Sequence, residues 1–238
     1  GHDVTLCEAG PELGGMLRTE QALPFKQDMY RLGRTYEVLC RDAGVRICLN
    51  TPVDAAFAEA FDADACIVAV GSEPMSMPVP VSDDAHVVNV ENIYLEGAKV
   101  TEDVAIVGGG LTGCECALLM AGKGKKVHLI EMRDGLAIDA NIRHRPILLK
   151  EIEEAGIDVR LNAAAVSVSA EGVTVKQDGA ERLVPGTTVI CALGQRSRPD
   201  VVEALRDAAP YVAVIGDASR VSTITNAVYW GYHAALDI

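Results

Sequence analysis

Asp103 to Arg133 reads DVAIVGGGLTGCECALLMAGKGKKVHLIEMR, and this stretch decides the fold. Val104-Ala105-Ile106-Val107 is a short apolar run of the kind that forms a strand buried on both faces. Glycines follow at the spacing Gly108-x-Gly110-x-x-Gly113, and residues 111–123 carry a helical pattern. Lys126 to Glu131 is a second strand, whose acidic end lies 18 residues after Gly113. Each part has a physical reason. Gly108 permits a tight turn, Gly110 lets a pyrophosphate approach the backbone, and Gly113 lets helix and strand pack closely. The helix start then offers free N–H groups and partial positive charge to the pyrophosphate. Glu131 would accept hydrogen bonds from an adenosine ribose. Strand, loop, helix, strand and acid in one register predict a dinucleotide site; the plain alternative is a Gly-rich βα turn without a ligand. An acid at 131 repels a 2′-phosphate and so favours NADH over NADPH, a preference that the neighbouring Arg133 blunts.

Outward from this motif, short β-branched runs alternate with helical patterns, which predicts a mostly parallel sheet with helices on its faces. Val4 to Cys7, Val45 to Leu49 and Cys66 to Val70 read as strands, with a helix over 27–43 closed by Ala43-Gly44. Residues 72–100 contain Pro74, Pro78 and Pro80 and little periodicity, and read as a connector between domains. Pro146 suits the first turn of a helix running to Gly156. From 157 to 192 the period switches to two, with Asp178-Gly179 as a hairpin turn, which predicts a β-meander. Val212 to Ile215, Gly216-Asp217 and a helix from about 223, capped by Ser222 or Thr223, complete the chain.

The first residues repeat the second half of the motif. Val4-Thr5-Leu6-Cys7-Glu8 parallels Val127-His128-Leu129-Ile130-Glu131, yet no glycine loop stands before it. Glu8 is either a second ribose-binding acid whose pyrophosphate loop is missing, or simply the end of a surface strand. On the first reading roughly thirty residues of a first βαβ unit are absent.

These motifs resemble the NADH:flavin oxidoreductases of the 2,4-dienoyl-CoA reductase and 2-enoate reductase type, related to old yellow enzyme, over essentially the whole chain. Glu12-Leu13-Gly14-Gly15-Met16-Leu17 resembles the family's turn beside the flavin pyrophosphate. Gly108, Gly109, Gly110, Leu111, Thr112, Gly113 and Glu115 match its NAD loop, with Glu131, Met132 and Arg133 at the ribose end. Gly194 lies in an A-L-G strand end like the nicotinamide-side strand. Ile215-Gly216-Asp217-Ala218 resembles the G-D motif whose aspartate holds the flavin's ribityl chain. Ala69-Val70-Gly71 stands where the family has A-T-G. Glu115 resembles an acid near the nicotinamide, and on a first helical turn it equally suits favourable helix-dipole placement.

The resemblance implies an α/β fold of two Rossmann-like dinucleotide-binding domains of the three-layer ββα type. The NAD domain, 99–198, would be inserted in a truncated FAD domain, 1–98 and 199–238. It implies hydride transfer from NADH to FAD without any acid/base residue. Electrons would then pass to an N-terminal barrel of the same polypeptide, carrying FMN and often an iron–sulfur cluster, that reduces an enoate or enoyl-CoA. FAD is expected to be held poorly without the first loop. A final-helix N-terminus facing the flavin would stabilise its reduced, anionic form. Two other classes compete: a disulfide reductase, which needs a C-x-x-C that this chain lacks, and a non-catalytic module that retains ADP.

Bulk properties narrow the partners. A formal net charge of -13 without a basic stripe argues against nucleic acid and anionic membranes. No run approaches the ~20 apolar residues needed to span a bilayer, and no signal peptide is visible. Seven scattered cysteines, an odd number, suit a reducing cytoplasm better than a disulfide framework. Cys114 and Cys116 point in different directions on a helix and read as core residues. The five histidines share no metal or catalytic spacing.

Overall fold

The computed structural model describes all 238 residues, and the chain divides into two units, Gly1–Glu73 with Gln195–Ile238, and Pro74–Gly194. The second is thus inserted in the first along the sequence.

The first unit begins with strand β1 (Thr5–Cys7), helix α1 (Gln27–Asp42), strand β2 (Arg46–Cys48), helix α2 (Ala55–Phe61), and strands β3 (Ala65–Val68) and β4 (Ser72–Pro74). β1 and β2 run parallel with Cys7 opposite Cys48. α1 stops where Gly44 takes a left-handed φ of 81°, which an L side chain resists. Asp54 caps α2 by accepting from the Phe57 N–H at 2.8 Å. Gly14 and Gly15, both at positive φ, open a 3-10 helix over Gly15–Ala22, against which Gly33 of α1 packs.

The inserted unit contains β5 (Val87–Asn89), α3 (Val90–Glu96), β6 (Asp103–Val107), α4 (Leu111–Gly122), β7 (Lys126–Ile130), α5 (Arg145–Glu154) and β8 (Asp158–Arg160). Strands β9 (Ala164–Ser169), β10 (Gly172–Gln177), β11 (Ala180–Pro185) and β12 (Thr188–Cys191) follow. Five strands form one parallel sheet in the order β5-β12-β6-β7-β8. Alternation along the strands splits its side chains between two cores. Val104, Ile106, Val127, Leu129 and Ile190 pack with the helices, whereas Ala105, Val107, Ile130 and Val189 pack with Val168, Val173, Val175 and Val184 of the antiparallel β9–β10–β11 layer. Helices, parallel sheet and antiparallel sheet are the three layers of a ββα arrangement.

Two expectations need correction here. The 72–100 connector holds β5 and α3, whose Val90 and Ile93 are buried in the helix-side core. Pro74 ends β4, and the two compact units meet along the sequence at 73/74 and 194/195. Of the period-two region, only β9, β10 and β11 form a meander; β8 and β12 pair in parallel with β7 and β6. A two-residue turn of Asp178 and Gly179, both at positive φ, joins β10 to β11 as the sequence predicted.

The chain returns through β13 (Gln195–Ser197), α6 (Pro199–Ala204), β14 (Tyr211–Val214) and α7 (Ile224–Leu236). β14 lies parallel to β3, and β13 pairs with β4. Thr223, the second of the two expected caps, accepts from the Asn226 N–H at 3.4 Å. No helix is long and apolar enough to cross a membrane.

Candidate functional site

The three glycines of the loop between β6 and α4 do three different things. Gly108 has a φ of +112°, and a Cβ there would strike the Ala192 carbonyl at the end of β12. A Cβ on Gly113 would strike the Gly108 carbonyl oxygen, so this position closes the helix onto the strand end. Gly110 is the opposite case: a Cβ there would meet no heavy atom within 4 Å. It is the N-cap of α4, with extended backbone and no side-chain cap. The first N–H groups of a helix have no intrahelical acceptor, so Leu111, Thr112 and Gly113 bring unpaired donors and a positive dipole end to this open space.

Gly109, between them, is clamped. Its N–H donates to Glu131 Oε2 at 2.7 Å, and its carbonyl accepts from the Ala137 N–H at 2.7 Å. A Cβ on it would lie 2.5 Å from Leu136 Cδ2 and 2.7 Å from Glu131 Cβ. Glu131 is 5% exposed. Its other oxygen accepts the Arg133 N–H at 2.8 Å and lies 3.5 Å from Arg133 Nε. Each carboxylate oxygen retains a lone pair after one hydrogen bond, so the acid can brace the loop and still accept a ribose hydroxyl. Met132 is exposed, and Arg133 Nη1 pairs with Asp139 Oδ2 at 3.0 Å. Gly194, at φ +88°, accepts from the Met75 N–H at 2.9 Å.

No sequence motif marks Leu136, Ala137 or Asp139. Residues 131–140 lack periodicity, and only a non-glycine residue at φ +46°, Ala137, marks the segment as specially shaped. Arg145 Nε holds it from below by donating to the Leu136 carbonyl at 2.9 Å. Glu115 is 3% exposed and is the fifth residue of α4, beyond the first turn where an acid meets the helix dipole at the surface.

In the first unit the predicted residues form two groups. At the end of β1, Glu8 Oε1 accepts the Gly10 N–H at 2.7 Å, shaping the turn that leads to Gly14 and Gly15. Past the parallel strands β3 and β14 lie Ala69–Gly71 and Gly216–Asp217, with Gly71 and Gly216 both at positive φ. Asp217 ties them together. Its Oδ2 accepts from Ser72 Oγ at 3.3 Å, its Oδ1 from the Ser222 N–H at 3.0 Å, and its carbonyl from Ser197 Oγ at 2.6 Å.

Residues 2–229 match the pyridine nucleotide-disulphide oxidoreductases. This chain belongs to that family. It is 32% identical to a cinnamate reductase of Clostridium sporogenes over 241 residues, which is 100% of this chain and 36% of that protein. It is 31% identical to an NADH oxidase of Thermoanaerobacter brockii, covering 100% of this chain and 38% of the relative. The chain therefore spans just over a third of these relatives. A 2-naphthoyl-CoA reductase shares the fold with a TM-score of 0.94 at 24% identity, covering 100% of this chain and 36% of that one.

Despite the family's name, the thiols on α4 are poor candidates for disulfide chemistry. Burial pushes both Cys114 and Cys116 up to about 12, with the charges of Glu115 and Glu131 adding to the effect at Cys114. At neutral pH they are thiols, not the thiolates that react. Both are fully enclosed in the helix-side core, as the sequence predicted. A separate cluster lies around His128, which sits between Asp158 (Nδ1 to Oδ2, 2.8 Å) and Asp103 (Nε2 to Oδ1, 3.2 Å). His128, Asp158 and Asp103 mark the starts of β8 and β6 and the middle of β7, away from the glycine loop at the strand ends.

Proposed function

We propose that the inserted unit binds NADH, that the flanking unit binds FAD, and that the chain is the electron-input part of a longer reductase. The carrying observation is the contrast within one loop. Gly108, Gly109 and Gly113 are glycines because protein atoms fill their surroundings, whereas Gly110 borders empty space at a helix N-terminus. That is the shape expected where a pyrophosphate, not a side chain, occupies the gap. Leu111, Thr112 and Gly113 would donate to the phosphates, Glu131 would hold the ribose diol, and the same carboxylate would disfavour the 2′-phosphate of NADPH. Glu8, Gly14, Gly15, Gly71 and Asp217 are the residues that would hold FAD. Bound NADH would supply a hydride and FAD would accept it, so the chain's own task is to bind, orient and exclude.

Relatives nearly three times as long support an onward acceptor in the same polypeptide, which we take to be an N-terminal barrel with FMN and an iron–sulfur cluster. A relative named for cinnamate supports an α,β-unsaturated acid or its CoA thioester as substrate. The seven free cysteines support a reducing compartment, the cytoplasm. Anaerobic addition of NADH to the purified full-length protein tests this reading. Bleaching of the flavin's visible absorbance is expected, with NADPH less effective. A flavin band unmoved by either nucleotide would overturn it.

A further inference from the structure

Arg133 stands two residues past the ribose acid, where a free guanidinium would attract the 2′-phosphate of NADPH. It is not free. Its main-chain N–H is fixed to Glu131 Oε1 at 2.8 Å, and its guanidinium lies between Glu131, 3.5 Å away, and Asp139, 3.0 Å away. The Arg133 side chain is 42% exposed and that of Asp139 84%, so the pair sits on the surface beside the loop. As a contribution to stability such a pair is worth little. As a disposition of charge it matters more. A phosphate approaching Arg133 must either displace the Asp139 carboxylate or accept its company.

Resting on the NADH reading above, we propose that Asp139 is a specificity-determining positioning residue that keeps Arg133 away from a 2′-phosphate. Selectivity then has two parts. Glu131 repels the 2′-phosphate directly, and Asp139 withholds Arg133, a cation placed to offset that repulsion. An arginine guanidinium is charged at every pH at which the protein folds, so Arg133 would be a cation with or without Asp139 beside it. Asp139 belongs to the same 136–140 segment that clamps Gly109 through Ala137, and Ala140 N–H donates back to the Ala137 carbonyl at 3.0 Å. The backbone on either side of Asp139 is therefore tied to the loop's own support.

Isothermal titration of the purified protein with NADH, NADPH, 5′-AMP and adenosine 2′,5′-bisphosphate tests this. Asp139→Asn should tighten the two 2′-phosphorylated probes by about two- to fivefold, the scale of one exposed charge pair, and leave NADH and 5′-AMP unchanged. Asp139→Glu should restore the native ratio. The gain should disappear in the Arg133→Ala background, because Asp139 acts through the arginine; a gain that persists there would mean direct repulsion and overturn the proposal. An unchanged NADPH-to-NADH ratio in Asp139→Asn, with NADH still bound, would also overturn it while leaving the NADH reading intact. Native protein that binds no adenine nucleotide at all would sink both.

Discussion

The backbone N–H of Gly109 donates to Oε2 of Glu131 at 2.7 Å, joining the middle of the glycine loop to the end of the next strand. The acid that sequence reasoning assigns to a ribose is thus also part of the loop's own scaffold. With Ala137 holding the Gly109 carbonyl, this peptide is fixed at both ends, and the adjacent Gly110 faces open space. Preorganisation of this kind lowers the ordering cost of ligand binding.

A consequence is that Glu131→Ala should have two separable effects. Leaving the buried Gly109 N–H without its acceptor should destabilise the protein by roughly 1–3 kcal/mol even without nucleotide. NADH affinity should also fall, and the preference over NADPH should narrow. Thermal melts and titrations on the same variant check both; an unchanged melting temperature would remove Glu131 from the scaffold, and unchanged affinities would remove it from the site.

Gly110 and Gly113 should respond differently to substitution. Gly110 has extended backbone and open surroundings, so Gly110→Val should melt like the native protein yet lose NADH-induced stabilisation. Gly113→Val places a side chain against the Gly108 carbonyl and should cost about 1–3 kcal/mol or more before any ligand is added. If Gly110→Val retained the full NADH-dependent shift in melting temperature, the loop would be a structural turn and the nucleotide assignment would fail.

Acid stability should report on Asp158. Burial acts to raise its pKa, but hydrogen bonds from His128 and Arg160 outweigh that and hold the carboxyl below its usual range. A depressed folded pKa stabilises above the unfolded value and loses that stabilisation as pH falls through the folded one. Melts between neutrality and pH 3 should therefore show a steeper loss for the native protein than for Asp158→Asn below about pH 4. With the side chain 37% exposed, solvent screening should keep the difference under about 1 kcal/mol. Parallel acid limbs would show that the His128–Asp158 pair contributes nothing.

Thiol labelling should distinguish core cysteines from reactive ones. Cys114 and Cys116, fully buried and raised to about 12, should resist iodoacetamide at neutral pH in the folded protein and react once it is denatured. Peptide mapping by mass spectrometry reads this directly. Rapid native labelling of either would contradict their enclosure in the helix-side core.

The sequence by itself determined the βαβ motif, because strand, turn and helix there each follow from neighbours in the chain. Val104 to Val107 must be buried, Gly108 must turn at positive φ, and Glu131 must end the next strand, all within 28 residues of one another. It also determined the thiols' fate on α4 and the Asp178-Gly179 hairpin, both local matters of spacing and backbone freedom. Only the tertiary structure decided what is held from a distance. Residues 87–96 carry no strong period, yet β5 finds its place because β12, a hundred residues later, supplies its hydrogen bonds. The same holds for β12 itself, which has the period of a meander strand but gains more burial between β5 and β6 than at the meander's edge. The clamp of Gly109 by Glu131 and Ala137, and the hold of Asp139 on Arg133, arise from a segment with no periodic signal at all. Such contacts depend on where a folded loop returns, and a linear pattern carries no information about that.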